Sequence, residues 1–150
     1  MSLPDTNVIL RAYLLTDADL IALVGDRIYW PAAPKGTSPA PLPNVTFFTR
    51  GGRSTPYIPD IPEQSKQIDC WASTPTMARH VYNKLYDALQ GIQNVAIVIP
   101  ADILEDGIVV VTAGTYYILS AREEVQGQDL VDIDIPGRYR VLTFFEIIVR

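Results

Sequence analysis

Cys70 and His80 are the only cysteine and the only histidine in the chain, and a thiolate–imidazole pair is the first chemistry they suggest. Such a pair works as a nucleophile only when the two groups stand within hydrogen-bond reach and the thiol lies in a polar setting that lowers its pKa. Cys70 alternates with Ile68 on one side of a strand pattern over Ser65–Ala72, while Gln67, Asp69 and Trp71 take the other side. His80 falls on the polar side of a helix pattern. A core thiol and a surface imidazole follow, because cysteine is among the residues most often fully buried. The carboxylates Glu123, Glu124, Asp129, Asp132 and Asp134 are a second candidate, for a hard cation. Oxygen-ligand loops need turns that converge carboxylates on one point, whereas Asp132 and Asp134 alternate with Val131, Ile133 and Ile135 as the solvent side of a strand would. Arg50-Gly51-Gly52-Arg53 is a third, resembling one copy of an RNA-binding RGG element. A single copy in a chain of net charge −5 offers no basic patch to displace counterions, so two arginines meeting carboxylates of a partner, or meeting solvent, is the better reading. Phosphate-cradling glycine loops, zinc-ligand spacing and a serine nucleophile elbow are missing from the sequence. The expectation is a protein that is not an enzyme, with no catalytic residue, no metal and no cofactor.

The elements that would position these residues can be read from periodicity. Val8, Ile9, Ala12 and Leu15 share one face of a first helix, Asp17 caps a second that carries Leu20, Ile21, Leu23 and Val24, and Gly25 ends it. Ile28–Trp30 reads as a short strand, Pro31–Pro43 as a proline-rich loop, and Asn44–Arg50 as a strand with Val45, Phe47 and Thr49 on one face. Gly51–Gln64 reads as a second long loop, and loops of that length in a small domain are usually functional or disordered. The clearest helix runs from Pro75 to Gln90, capped by Thr74 and closed by Gly91, with Ala78, Val81, Tyr82, Leu85, Ala88 and Leu89 as its buried stripe. Asn94–Ile99 and Ile108–Thr112 are expected to pair as a hairpin across Asp102–Gly107, and Tyr116–Val125 with Gln128–Ile135 as another around Gly127. In the final strand, Arg138–Val149, one face carries Tyr139, Val141, Thr143, Phe145, Ile147 and Val149. The opposite face still holds Leu142, Phe144 and Ile148, which need cover from the chain or from another subunit.

At 150 residues the chain is expected to be one domain, 1–150, large enough for a real core. One cysteine excludes an internal disulfide and fits synthesis in a reducing compartment. A secretory leader is not expected, and the longest apolar run, Val95–Ile99, is far short of the roughly 20 residues a membrane helix needs.

Three segments taken in order resemble the tail terminator family of long-tailed bacteriophages, also called tail completion or tail-to-head joining proteins. They are LRAYLLTDADLIALVGDRIYWPAAPKG with LPNVTFF, QIDCWASTPTMARHVYNKLYDAL, and REEVQGQDLVDIDIPGRYRVLTFFEIIV. The resemblance implies an α+β fold: an antiparallel or mixed β-sheet with two to three helices packed on one side, carrying long proline-rich loops. It implies a homohexameric ring, seated on the tail tube protein, that stops tube polymerisation and presents a surface to the head connector or stopper protein. Location in the virion neck, after assembly in the host cytoplasm, goes with it. Genomic DNA would pass through the opening without specific binding, where an acidic lining would limit sticking by like-charge repulsion. Gln93–Thr115 is longer than the family pattern suggests, and reads as an extra β-hairpin reaching a neighbouring subunit or a tail tube. Expected contacts are Arg50, Arg53 and Tyr57 in the long loop, with Trp71 and Phe144 on exposed strand faces; ordinary packing within the chain is the competing reading. A head-side adaptor or stopper ring, or a small intracellular binding module of similar layout, are the alternative functions.

Overall fold

A computed structural model describes residues 5–32, 41–54, 56–57, 61–131 and 136–150. Helix α1 (Thr6–Leu14) starts at Asp5, whose carboxylate accepts from the backbone N–H groups of Asn7 and Val8. Helix α2 (Ala18–Val24) starts at Asp17 in the same way, and Gly25 ends it at φ +60°. These caps satisfy backbone donors that a helix start leaves orphaned. The buried side of α1 is Thr6, Ile9, Leu10 and Leu14; Val8, Ala12 and Leu15 are only partly buried, so the helix is rotated from the face expected. In α2 the expected core residue Ile21 is exposed, because seven residues turn only Leu20 and Val24 inward.

Strands β1 (Ile28–Tyr29), β2 (Asn44–Arg53) and β3 (Glu63–Ala72) precede helix α3 (Pro75–Leu89). Strands β4 (Gln93–Ile99), β5 (Ile103–Glu105), β6 (Ile108–Val111), β7 (Gly114–Val131) and β8 (Tyr139–Val149) follow it. The main sheet has the order β1-β2-β3-β8-β7-β4, with β1 parallel to β2 and every other pair antiparallel. Helix α3 lies on β3, β8 and β7, and its stripe of Ala78, Val81, Tyr82, Leu85 and Leu89 joins Ile68, Cys70, Val141, Phe145 and Ile147 in one continuous core. The expected α+β arrangement, a mixed sheet with helices on one side and an added hairpin, is what the structure shows. Among the described residues no helix is long and apolar enough to cross a membrane. Most of the Pro31–Pro43 loop, along with Asp132, Asp134 and part of the second loop, lies outside the described residues.

Three expectations are corrected. Asn94–Ile99 does not pair with Ile108–Thr112: it is the edge strand β4 against Gly114–Ser120 of β7, and Ile108–Val111 turns back on Ile103–Glu105 instead. The local cause is Asp106 and Gly107, both at positive φ (+52° and +77°), which form a two-residue turn tight enough to close a short hairpin on its immediate neighbours. Gly127 is not a turn either. Residues 114–131 are one strand, and the surplus residues around 124 and 126–127 are absorbed as register shifts against β8. Finally, the loop expected at Gly51–Gln64 is shorter: β2 continues through Arg53 and β3 begins at Glu63, so Arg50 and Arg53 stand on a strand. Gly51 and Gly52 permit this at φ +126° and +133°, and a Cβ on Gly52 would lie 2.1 Å from the Glu63 carbonyl oxygen.

Beyond the end of β4, the outer edge of β7 is finished by α3. Gln90 accepts from the Glu123 N–H at 2.7 Å, the Gly91 N–H donates to Ala121 at 3.1 Å, and Arg79 donates to the Gly127 carbonyl at 3.2 Å. Side chains and the helix end thus occupy an edge that would otherwise invite another strand.

Among the described residues, Lys66 is the one lysine in the core. It is fully buried beneath the start of α1, with Nζ within 2.5–2.9 Å of Thr6 Oγ1, Asn7 Oδ1, Thr49 Oγ1 and Gln64 Oε1. Burial lowers its pKa to about 8, with the Asp5 carboxylate opposing the shift. An unfolded lysine holds its proton to a higher pH, so between pH 8 and 9 the unfolded state binds more protons and stability should rise with pH. Above pH 9 the buried Cys70 thiol, raised by desolvation, acts in the opposite sense. Chemical denaturation of the wild type and of Lys66→Met at pH 7.5 and 9 tests this: the wild type should gain stability relative to the variant. An equal pH slope in both proteins would show that Lys66 keeps an ordinary pKa.

Candidate interaction surface

The cross-strand register builds the face of the sheet away from α3 in rows. Gly51, Ser65, Glu146 and Arg122 form one row, followed by Phe48, Gln67, Phe144 and Val125. Thr46, Asp69, Leu142 and Gln128 form the third, and Asn44, Trp71, Arg140 and Leu130 the fourth. Apolar and charged groups therefore mix on this face, and Leu142, Phe144 and Ile148 are half-buried.

The first row opens into a polar cleft of about 300 Å³ lined by Arg50, Arg53, Glu63, Arg122, Glu124 and Glu146 together with Ser65 and Gly52. Arg50 is held on two sides. Its guanidinium lies 4.1 Å from the centre of the Phe144 ring, and Nε donates to Ser65 Oγ at 3.1 Å. Ser65 Oγ in turn donates to Glu124 Oε1 at 2.6 Å. The terminal nitrogens of Arg50 make no hydrogen bond among the described residues, and Arg53 makes no ion pair among them. Arg122 is already paired with Glu146 at 3.2 Å. An arginine fixed by stacking and by its Nε, with both terminal nitrogens available, is prepared for bidentate contact with a carboxylate.

Of the expected contact residues, the structure brings together Arg50, Arg53 and Phe144. Trp71 lies at the far end of the same face. Its Nε1–H donates to Thr46 Oγ1 at 3.1 Å, and the guanidinium groups of Arg138 and Arg140 stand 5.0 and 5.3 Å from its ring. Arg140 also pairs with Asp69 at 3.2 Å; burial raises the Asp69 pKa and this ion pair opposes the shift. Tyr57 is 91 % exposed in the loop between β2 and β3. Sequence reasoning missed Glu63, Ser65, Arg122, Glu124 and Glu146 as members of the cleft. Alternation puts Arg122 and Glu124 on one face of β7 and Glu146 on the matching face of β8, but the register shift that brings Val125 to that face as well leaves no trace in the sequence.

Cys70 is wholly buried in the core, whereas His80 is exposed on α3, so no thiolate–imidazole pair forms. Glu123 accepts from the Tyr82 hydroxyl at 2.5 Å and from Thr143 Oγ1 at 2.7 Å, and Asp129 pairs with Arg79 at 2.6 Å. Burial, then the Glu123 hydrogen bond, push the Tyr82 pKa up to about 12. Among the described residues no three His, Cys, Asp or Glu side chains gather as a metal site would require.

The hairpin β5–β6 is a second feature of the surface. Ile103, Leu104, Ile108, Val109 and Val110 are 36–67 % exposed, and its tip carries Glu105 and Asp106, both exposed and without an ion pair among the described residues. Between its base and α1 runs a groove of about 740 Å³ lined by Val8, Ala12, Leu15, Trp30, Ile99 and Val111 among others.

No protein-family model matches the chain, and no curated protein does. Among solved structures, a chain of one described as "Virion of native gene transfer agent (GTA) particle" is similar at 18 % identity, with 97 % of each chain covered and a TM-score of 0.49.

Proposed function

We propose that this chain is a structural virion protein that assembles with copies of itself into a ring, caps a phage tail tube and provides the surface for joining to the head. The ordered resemblance of three segments to tail terminators points there, and the fold that resemblance implies is the one described above. The observation that carries the reading is the hairpin β5–β6. A two-stranded ribbon with no core of its own is marginally stable in water, yet this one holds five apolar side chains toward solvent. Such a surface is suited to burial against another protein. The role needs no bond chemistry: a closed ring terminates a polymer by geometry.

Electron microscopy of tails assembled with and without the protein tests the role. Overlong tubes in its absence, restored to normal length when purified protein is added during assembly, are the expected result. Tails of normal length without it would overturn the capping role. Normal tubes that fail to join heads would move the protein to the head side of the neck.

A further inference from the structure

We propose that copies of this chain associate head to tail, the acidic tip of β5–β6 from one copy entering the Arg50–Arg53 cleft of the next. This rests on the reading of the chain as a self-assembling subunit and supplies the contact. The hairpin side of this contact carries charge of one sign. From Leu85 to Ala121 the sequence contains no lysine or arginine, while Asp87, Asp102, Glu105 and Asp106 are acidic. Asp102 accepts from the Ala113 N–H at 2.7 Å at the base of the hairpin, which leaves Glu105 and Asp106 as the carboxylates available at its tip. The cleft lining balances three arginines with three glutamates, but Arg122 is paired with Glu146 and Glu124 accepts from Ser65, while the terminal nitrogens of the stacked Arg50 make no hydrogen bond and Arg53 beside it makes no ion pair among the described residues.

The apolar surroundings match as well. Behind the acidic tip stand Leu104, Ile108 and Val109; beside the cleft stand exposed Val125 and half-buried Ile148. Docking would bury these while the ion pairs fix the register, the usual division between affinity and specificity at an interface. Tip and cleft are different surfaces of the chain. The hairpin adjoins α1 on the helix side, whereas the cleft opens on the opposite face of the sheet. A contact between two unlike patches is heterologous, and repetition about a closing rotation gives a ring, not a two-fold dimer.

Two charge-reversed variants test the contact. Arg50→Glu with Arg53→Glu makes the cleft acidic; Glu105→Arg with Asp106→Asn makes the tip basic, asparagine being a residue that tolerates the left-handed backbone there. All four positions are exposed, and thermal melts matched to wild type establish that each variant folds. In sedimentation experiments, wild type should associate and each variant alone should associate roughly 100-fold more weakly, because like charges then meet. Mixing the two variants should restore association, since each tip then finds a cleft of opposite charge. Wild type that stays monomeric, variants that associate as wild type does, or a mixture without recovery would each overturn the contact. The capping role fails by a different result, tails of normal length in the protein's absence, and would leave this contact standing.

Discussion

Gly127→Ala is expected to destabilise the fold by about 3 kcal/mol, the upper part of the range for forcing one extra methyl into a packed interior. A Cβ at this position would lie 2.6 Å from Val141 Cγ1 and 2.8 Å from Tyr82 Cε1. Neither neighbour can give way cheaply. The β-branched Val141 is buried near the start of β8, and the Tyr82 ring is held at its outer end by two hydrogen bonds: its hydroxyl donates to Glu123 and accepts from the Gly127 N–H at 3.2 Å. Moving the ring would also disturb the Arg79 guanidinium, 5.1 Å above it, which reaches the Gly127 carbonyl and Asp129. Urea denaturation measures the loss, and a change under about 0.5 kcal/mol, the scale of an ordinary surface substitution, would show the close approach to be relaxed in solution. Tyr82→Leu makes room. In that background the cost of Gly127→Ala should fall by at least about 1 kcal/mol, as expected for residues that share one contact.

This glycine also shows where the sequence stopped being readable. Glycine between two strand-like runs is a turn signal when only the local chain is considered. Its actual role depends on Tyr82, more than forty positions away, for which only a residue without Cβ leaves space. The same applies to β4. Its run of Val95, Ala96, Ile97, Val98 and Ile99 carries strong strand propensity but nothing that names a partner, and the nearer apolar run looked like the natural one. What could be read well was what a single element decides for itself. The stripe of α3, the caps at Asp17 and Thr74 and the inward face of β8 follow from spacing and local hydrogen bonding alone, and each stands as expected.

The interaction surface was legible to a lesser degree for the same reason. Arg50 and Arg53 stood out as paired arginines among glycines, and Phe144 as an aromatic on the wrong face of a core strand. That Phe144 would lie under Arg50 could not be seen. It requires the pairing β2-β3-β8 and the bulge after Thr49 that turns Arg50 over the neighbouring strands. Acidic residues at the tip of the hairpin were visible only as turn formers, because nothing local distinguishes a solvated carboxylate from one that meets an arginine of another molecule.

Phe145→Ala should cost about 3–5 kcal/mol, the usual range for emptying a buried phenylalanine site, and so remove a large part of a stability that is about 5–15 kcal/mol for a domain of this kind. Phe145 is wholly buried, opposite Lys66 on one side and Glu123 on the other, in the innermost strand of the layer that α3 covers. Phe144→Ala, one position away, should cost only about 1 kcal/mol. That side chain is half-buried on the other face, and its distinctive contact is the Arg50 guanidinium, a cation–π pair worth about 0.5–1 kcal/mol at an exposed site. Equilibrium unfolding of the two variants separates the roles of the two faces. If Phe144→Ala destabilises as much as Phe145→Ala, the outer face is itself a core and has no side chains to spare for another subunit. If the expected asymmetry holds, Phe144→Ala leaves a folded monomer whose Arg50 has lost its support. Self-association should then weaken without loss of fold, which separates positioning of the arginine from structural damage.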